Sequence, residues 1–154
     1  MTLGKLLAHW KSDPEVGPNL VEWRVLPGKS STFVPFPADI HYILLKAVQS
    51  RGIRSLYTHQ ASSFEQIKEG KNIVVVTGTA SGKTLCYNLP VLNHLLIENG
   101  STALYLFPTK ALSQDQNAVL RSLLTLINTD IENEEQDNSN KHPIGCAIYD
   151  GDTP

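Results

Sequence analysis

The chain has 154 residues, 41% of them hydrophobic and 18% charged, with a formal charge of −2; this suits one globular α/β domain able to bury a core. No stretch is apolar enough to span a bilayer and the first residues lack a signal-peptide core, so a cytoplasmic or nuclear protein is expected. The low net charge permits nucleic-acid binding without indicating it. Asp130, Glu132, Glu134, Glu135 and Asp137 crowd one polar segment with Lys141, and the rest of the chain is slightly basic. The two cysteines, Cys86 and Cys146, stand at no metal-ligand spacing and read as small hydrophobes in a reducing compartment.

Leu3, Leu6, Leu7 and Trp10 predict a short amphipathic helix. An irregular stretch rich in Pro and Gly follows to Pro37, with Val21, Trp23 and Val25 as a lone strand. Residues 1–35 therefore read as an N-terminal arm and 36–154 as the main body. A helix is expected after Pro37-Ala-Asp39, with Ile40, Ile43, Leu44, Ala47 and Val48 on its apolar face and Gly52 beyond its end. A second runs from Thr58, as N-cap, towards Gly70 and carries Ala61, Phe64 and Ile67. Residues 73–76, Ile-Val-Val-Val, are an unbroken apolar run that suits a strand covered on both faces. The helix after Thr84 places Leu85, Leu89, Leu92, Leu95 and Leu96 on the sheet, and Pro90 predicts a kink or a lost turn. Residues 102–107 read as a second strand and 113–127 as a helix burying Val119, Leu120, Leu123, Leu124 and Ile127. Residues 128–142 lack an apolar period and read as an exposed or disordered insertion. Residues 144–149 read as a third strand. The alternation of strands and helices predicts a parallel sheet flanked by helices, incomplete at three strands.

Between the first strand and its helix stands Thr77-Gly-Thr-Ala-Ser-Gly-Lys-Thr84. Small residues let such a loop wrap closely, so that successive backbone N–H groups face an anion. The following helix adds its unsatisfied N-terminal amides. Lys83 brings a mobile cation for the outer phosphates, and the Thr84 hydroxyl suits Mg²⁺. The strict phosphate-loop pattern wants Gly at the position of Thr77.

This loop, followed by Pro108-Thr-Lys-Ala-Leu112 and then Tyr149-Asp-Gly-Asp-Thr-Pro154, resembles the opening half of a superfamily-2 DEAD/DEAH-box helicase. The first RecA-like domain is matched in order and spacing over about residues 35–154. Leu56-Tyr-Thr-His-Gln60 before the loop is similar to the branch of 3′-to-5′ DNA helicases that holds the bacterial mitomycin-repair helicase and its fungal RecQ-like relatives. The resemblance implies ATP and Mg as cofactors, single-stranded DNA rather than RNA as partner, and the remainder of a helicase chain. Gln60 matches the glutamine that reads the adenine edge. Thr77, Gly78, Thr79, Ala80, Ser81, Gly82, Lys83 and Thr84 match the nucleotide loop, in which Thr is a common family residue at the first position. Lys83 matches the catalytic phosphate lysine and Thr84 the metal-site hydroxyl. Pro108, Thr109 and Lys110, with Gly151, Asp152 and Thr153, match loops that touch the nucleic-acid backbone.

No acidic pair follows an apolar strand after Tyr149, and no Ser-Ala-Thr motif or second RecA-like domain is found in these residues. The expectation is therefore an N-terminal piece of an ATP-dependent DNA helicase that holds nucleotide but does not split it alone. The alternative is a standalone ATP-binding or regulatory module. An unrelated P-loop kinase or GTPase is disfavoured, since no guanine motif or lid is found.

Overall fold

The computed structural model describes residues 2–22, 24, 31–79, 81–135 and 142–151. It divides into two compact units, Met1–Ser31 and Thr32–Pro154. The second unit takes in the last few residues of the expected arm of residues 1–35. The physical reason is that Phe33 and Val34 pair with Tyr57 and Leu56 inside the second unit.

In the first unit, helix α1 (Leu3–Ser12) forms as its leucine spacing predicts. Asp13 stops it, because its Oδ1 accepts the N–H groups of Glu15 at 2.8 Å and Val16 at 3.0 Å. Those two backbone donors hold the Asp13 carboxyl below the usual carboxylate range. A 3-10 turn at Gly17–Asn19 follows. The strand expected around Val21 falls partly on Trp23 and Val25, outside the described residues.

The second unit begins with strand β1 (Phe33–Val34), then helix α2 (Tyr42–Ser50), strand β2 (Leu56–Tyr57) and helix α3 (Thr58–Lys68). Helices α4 (Lys83–Ile97) and α5 (Lys110–Glu135) complete it. Ile43, Leu44, Ala47 and Val48 of α2 are all buried, at the i, i+1, i+4, i+5 spacing that puts them on one stripe. They meet Phe64 of α3, Leu89, Leu92 and Leu96 of α4, and Leu123, Leu124, Ile127 and Ile131 of α5 in one core. Each of the leucine, isoleucine, valine and phenylalanine side chains among them is worth about 1.5–3 kcal/mol of burial. Buried Asn93 on α4 fastens the start of α2, its Oδ1 accepting the His41 N–H at 2.7 Å. Gly70 ends α3 with φ +77, a left-handed residue where the sequence predicts one.

One expectation is narrowed and one is corrected. Helix α4 runs through Pro90, which is buried in its middle, so no turn is lost there. Helix α5 does not stop at Ile127 but continues to Glu135, so the first half of the expected insertion at 128–142 is helical. Ile131, four residues on from Ile127, is 1% exposed, and Asp130 pairs with Lys46 of α2 at 2.6 Å. Residues 136–141 lie outside the described residues.

The three expected strands are seen as runs of chain, not as a paired sheet. Among the described residues the paired strands are β1 and β2, which are antiparallel. The runs at 73–77, 101–107 and 142–150 are extended without ladder partners, but they keep a strand's alternation of faces. Val74 and Val76 are 90% and 88% exposed while Ile73 and Val75 are partly covered. Leu104 and Leu106 alternate with Tyr105 and Phe107, and Tyr149 with Ile148, in the same way. One face of each run lies on the helices, and Ile144 and Cys146 join the core. The other face is open, so burial on both sides, as an all-apolar run predicts, is not what these residues show. The third run is fixed by Asn128 of α5, whose amide donates to the Ile144 carbonyl at 3.0 Å and accepts its N–H at 2.9 Å. Among the described residues no helix is long and apolar enough to cross a membrane.

Candidate nucleotide site and nucleic-acid loop

The loop at 77–84 is shaped by its own side chains and by α3. The hydroxyls of Thr77 and Ser81 share a hydrogen bond of 2.6 Å across it. Gly82 stands at the N-cap of α4 with φ +72, and a Cβ there would come within 2.5 Å of Gln60 Nε2. The left-handed φ favours glycine there, and a Cβ would push the Gln60 amide aside. Lys83 bends back into the loop, its Nζ donating to the carbonyls of Gly78 at 2.7 Å and Thr77 at 3.1 Å. An ammonium held by two neutral carbonyls is readily won by an anion, because charge-assisted bonds are the stronger. Gly78 and Thr79 are exposed beside it, and Ala80 lies outside the described residues.

Helix α3 braces this loop at adjacent positions. His59 Nε2 lies 2.9 Å from the Ser81 carbonyl, and Gln60 Nε2 donates to the Gly82 carbonyl at 2.9 Å. The other end of the Gln60 amide accepts the Tyr57 N–H at 2.9 Å, which satisfies a donor at the start of α3. Gln60 is 3% exposed, so the structure places it as a strut of the loop. Thr58, expected as the cap, is the first helical residue instead, and Tyr57 is the N-cap. The ring of Tyr57 stacks on Phe33 and His59, with centroids 4.8 and 5.5 Å away. Sequence reasoning missed His59 and Tyr57 as parts of the loop's support. Their place beside Gln60 in Leu56-Tyr-Thr-His-Gln60 was the available signal.

On the first turn of α4, the Thr84 hydroxyl donates to Gln116 Oε1 of α5 at 3.3 Å. Cys86, buried below it, has its thiol pushed up by burial. Magnesium takes few protein ligands and keeps water and phosphate oxygens. One hydroxyl beside a phosphate-binding loop therefore fits it. Among the described residues no cluster of three or more His, Cys, Asp or Glu could hold a metal by itself.

The second group of expected residues gathers at the start of α5. Pro108, Thr109 and Lys110 are exposed, and Thr109 Oγ1 accepts the Leu112 N–H at 3.3 Å as a helix cap. Lys110 Nζ lies 3.9 Å from Asp150 Oδ2, which brings this loop to the end of the third extended run and so to exposed Gly151. Asp152 and Thr153 lie outside the described residues.

The model of the DEAD/DEAH box helicase family matches residues 57–148, more than half of the chain and both loops' flanking elements. The chain belongs to the DEAD/DEAH box helicases. This helicase-family chain is 41% identical over 149 residues to the uncharacterized ATP-dependent helicase YprA of Bacillus subtilis (strain 168), covering 97% of the chain and 18% of YprA. It is 40% identical over 105 residues to the ATP-dependent helicase hrq1 of Schizosaccharomyces pombe, covering 68% of the chain and 9% of hrq1. Among solved structures it is similar to the DUF1998 helicase MrfA bound to DNA and AMPPNP, with 38% identity and a TM-score of 0.80. That match covers all of this chain and 19% of MrfA. The helicase-family chain therefore shares the RecA-like helicase fold with MrfA over its whole length, and spans about a fifth or less of these relatives.

Proposed function

We propose that these residues hold ATP and single-stranded DNA backbone for an ATP-dependent DNA helicase. The observation that carries the reading is the loop at 77–84, held from α3 by His59 and Gln60 with the Lys83 ammonium turned into it. Its match to a family of helicases, and its likeness to MrfA bound to DNA and AMPPNP, support the same reading. Lys83 exchanges its carbonyl partners for the outer phosphates, and the amides of 78–84 with the start of α4 take the remaining oxygens. Thr84 would hold Mg²⁺ through its oxygen, and the ion would supply charge neutralisation to the phosphates. The second N–H of the Gln60 amide and its free lone pair meet the adenine edge, with the Tyr57 ring beside it. Pro108, Thr109 and Lys110, with Gly151, Asp152 and Thr153, contact sugar-phosphate backbone, which fixes register without reading sequence. The three extended runs are strands of the fold's parallel sheet, as their alternating burial supports.

The experiment is Lys83→Ala in the full-length protein, read by ATP binding and by DNA-stimulated hydrolysis. Loss of both with an unchanged melting temperature is expected. Turnover equal to the parent's would remove the loop from the mechanism. Lys110→Ala in parallel should lower the slope of log affinity against log salt by about 0.7 for a single strand.

A further inference from the structure

The acceptor facing the Thr84 hydroxyl is the side-chain amide of Gln116 on α5. Gln116 Oε1 takes two donors, Thr84 Oγ1 at 3.3 Å and the Tyr87 hydroxyl at 2.8 Å. The amide nitrogen of Gln116 donates to Asp115 Oδ2 at 3.3 Å. A carboxylate only accepts, so the nitrogen must face Asp115 and the carbonyl must face Thr84. A carbonyl oxygen has two lone pairs, and both are taken here. It has no proton to give, so the Thr84 proton must lie on the Gln116 side of the hydroxyl. That leaves the Thr84 lone pairs to point elsewhere. A hydroxyl that binds a cation through oxygen needs this polarity, since a proton aimed at the ion repels it.

We propose that Gln116 is a positioning residue that makes the Thr84 hydroxyl a magnesium ligand by holding its proton away from the ion. The inference rests on the reading of the 77–84 loop as an ATP–magnesium site. Gln116 lies about two turns along α5 from Lys110, so the residue that sets the metal ligand is carried by the helix that opens in the nucleic-acid loop. Partners that orient a metal ligand in this way are commonly worth 10–100-fold in metal affinity.

The test measures affinity of the full-length protein for a fluorescent ATP analogue as Mg²⁺ is raised from none, with no turnover involved. Gln116→Leu, close in size but unable to accept, should raise the Mg²⁺ midpoint by about 10–100-fold and leave affinity without Mg²⁺ as in the parent. Gln116→Glu keeps an acceptor and should hold the midpoint near the parent's. Tyr87→Phe removes the other donor and should also leave it in place. In a Thr84→Ala background, Gln116→Leu should shift nothing further. A midpoint unmoved by Gln116→Leu, or moved equally with and without the Thr84 hydroxyl, overturns the proposal while Lys83→Ala still abolishes binding. If Lys83→Ala binds the analogue as the parent does, the nucleotide reading fails and this inference falls with it.

Discussion

At Gln60 a single amide joins two backbone groups that lie far apart in the chain, the Tyr57 N–H and the Gly82 carbonyl. Gln60→Ala removes both partners from a buried position, which costs about 1–3 kcal/mol for groups left unsatisfied. In a chain of this size that lowers the melting temperature by about 2–4 °C per kcal/mol. Binding should report two effects. Inorganic triphosphate should weaken because the loop loses its strut, and ATP should weaken further because adenine loses its partner. Competition binding of the two ligands, beside a thermal melt, separates them; equal losses for both would restrict Gln60 to the strut. The residue was legible in the sequence through its place before the loop, whereas its bracing contact was not. Nothing local in the sequence announces a bond between residues 60 and 82. The same holds for Gln116, whose partner Thr84 lies on another helix. Lys83 and Gly82 were legible because the demands on them, a mobile cation and a left-handed turn, are met within the motif itself.

Helix α5 shows how an element can outrun its pattern. Up to Ile127 its apolar stripe has two residues per turn, and beyond that only Ile131 continues it among Asn, Asp and Glu. The apolar stripe thins after Ile127, and Ile131 at i+4 from it is the signal that the helix goes on. Packing decided the matter: a side chain 1% exposed and the Lys46–Asp130 pair hold the last turns on α2. Replacing 128–142 by a short Gly-Ser turn should therefore destabilise the protein. Ile131→Ala alone should cost about 2–5 kcal/mol, as other buried Ile truncations do. Denaturant melts would check both, and a midpoint unchanged by either would return the segment to a surface role. Helix α4 makes the converse point, since Pro90, where a kink or a lost turn is expected, lies buried within a continuous helix.

For the molecule as a whole, the class of each extended run was legible and its pairing was not, because a strand's neighbours are set by chain far away in sequence. The 154-residue chain leaves Val74, Val76, Leu104, Leu106 and Tyr149 more than four-fifths exposed. Beneath the second and third runs, against α4 and α5, is a cavity of about 620 Å³. Within that layer the Tyr105 hydroxyl is pushed up to about 12 by burial, and among the described residues it and Asn88 Oδ1 are buried without a hydrogen-bond partner. An open apolar face over a loosely filled layer should bind a dye such as ANS and drive self-association. Val74→Lys with Leu104→Lys should reduce both in the 154-residue chain, measured by dye fluorescence and light scattering; no change would mean the face is closed. The Asn128 amide bears on how such a face is put in order. By holding both the N–H and the C=O of Ile144, it mimics the edge of a neighbouring strand. Because strand faces alternate with a period of two, a slip of one residue would turn Cys146 and Ile148 outward and Ala147 and Tyr149 inward. The contact joins residues only 16 apart, so closing the chain between them is cheap in entropy. The alignment of the third run is thus chosen locally, by one side chain on the helix before it, without waiting for a strand from elsewhere to choose it.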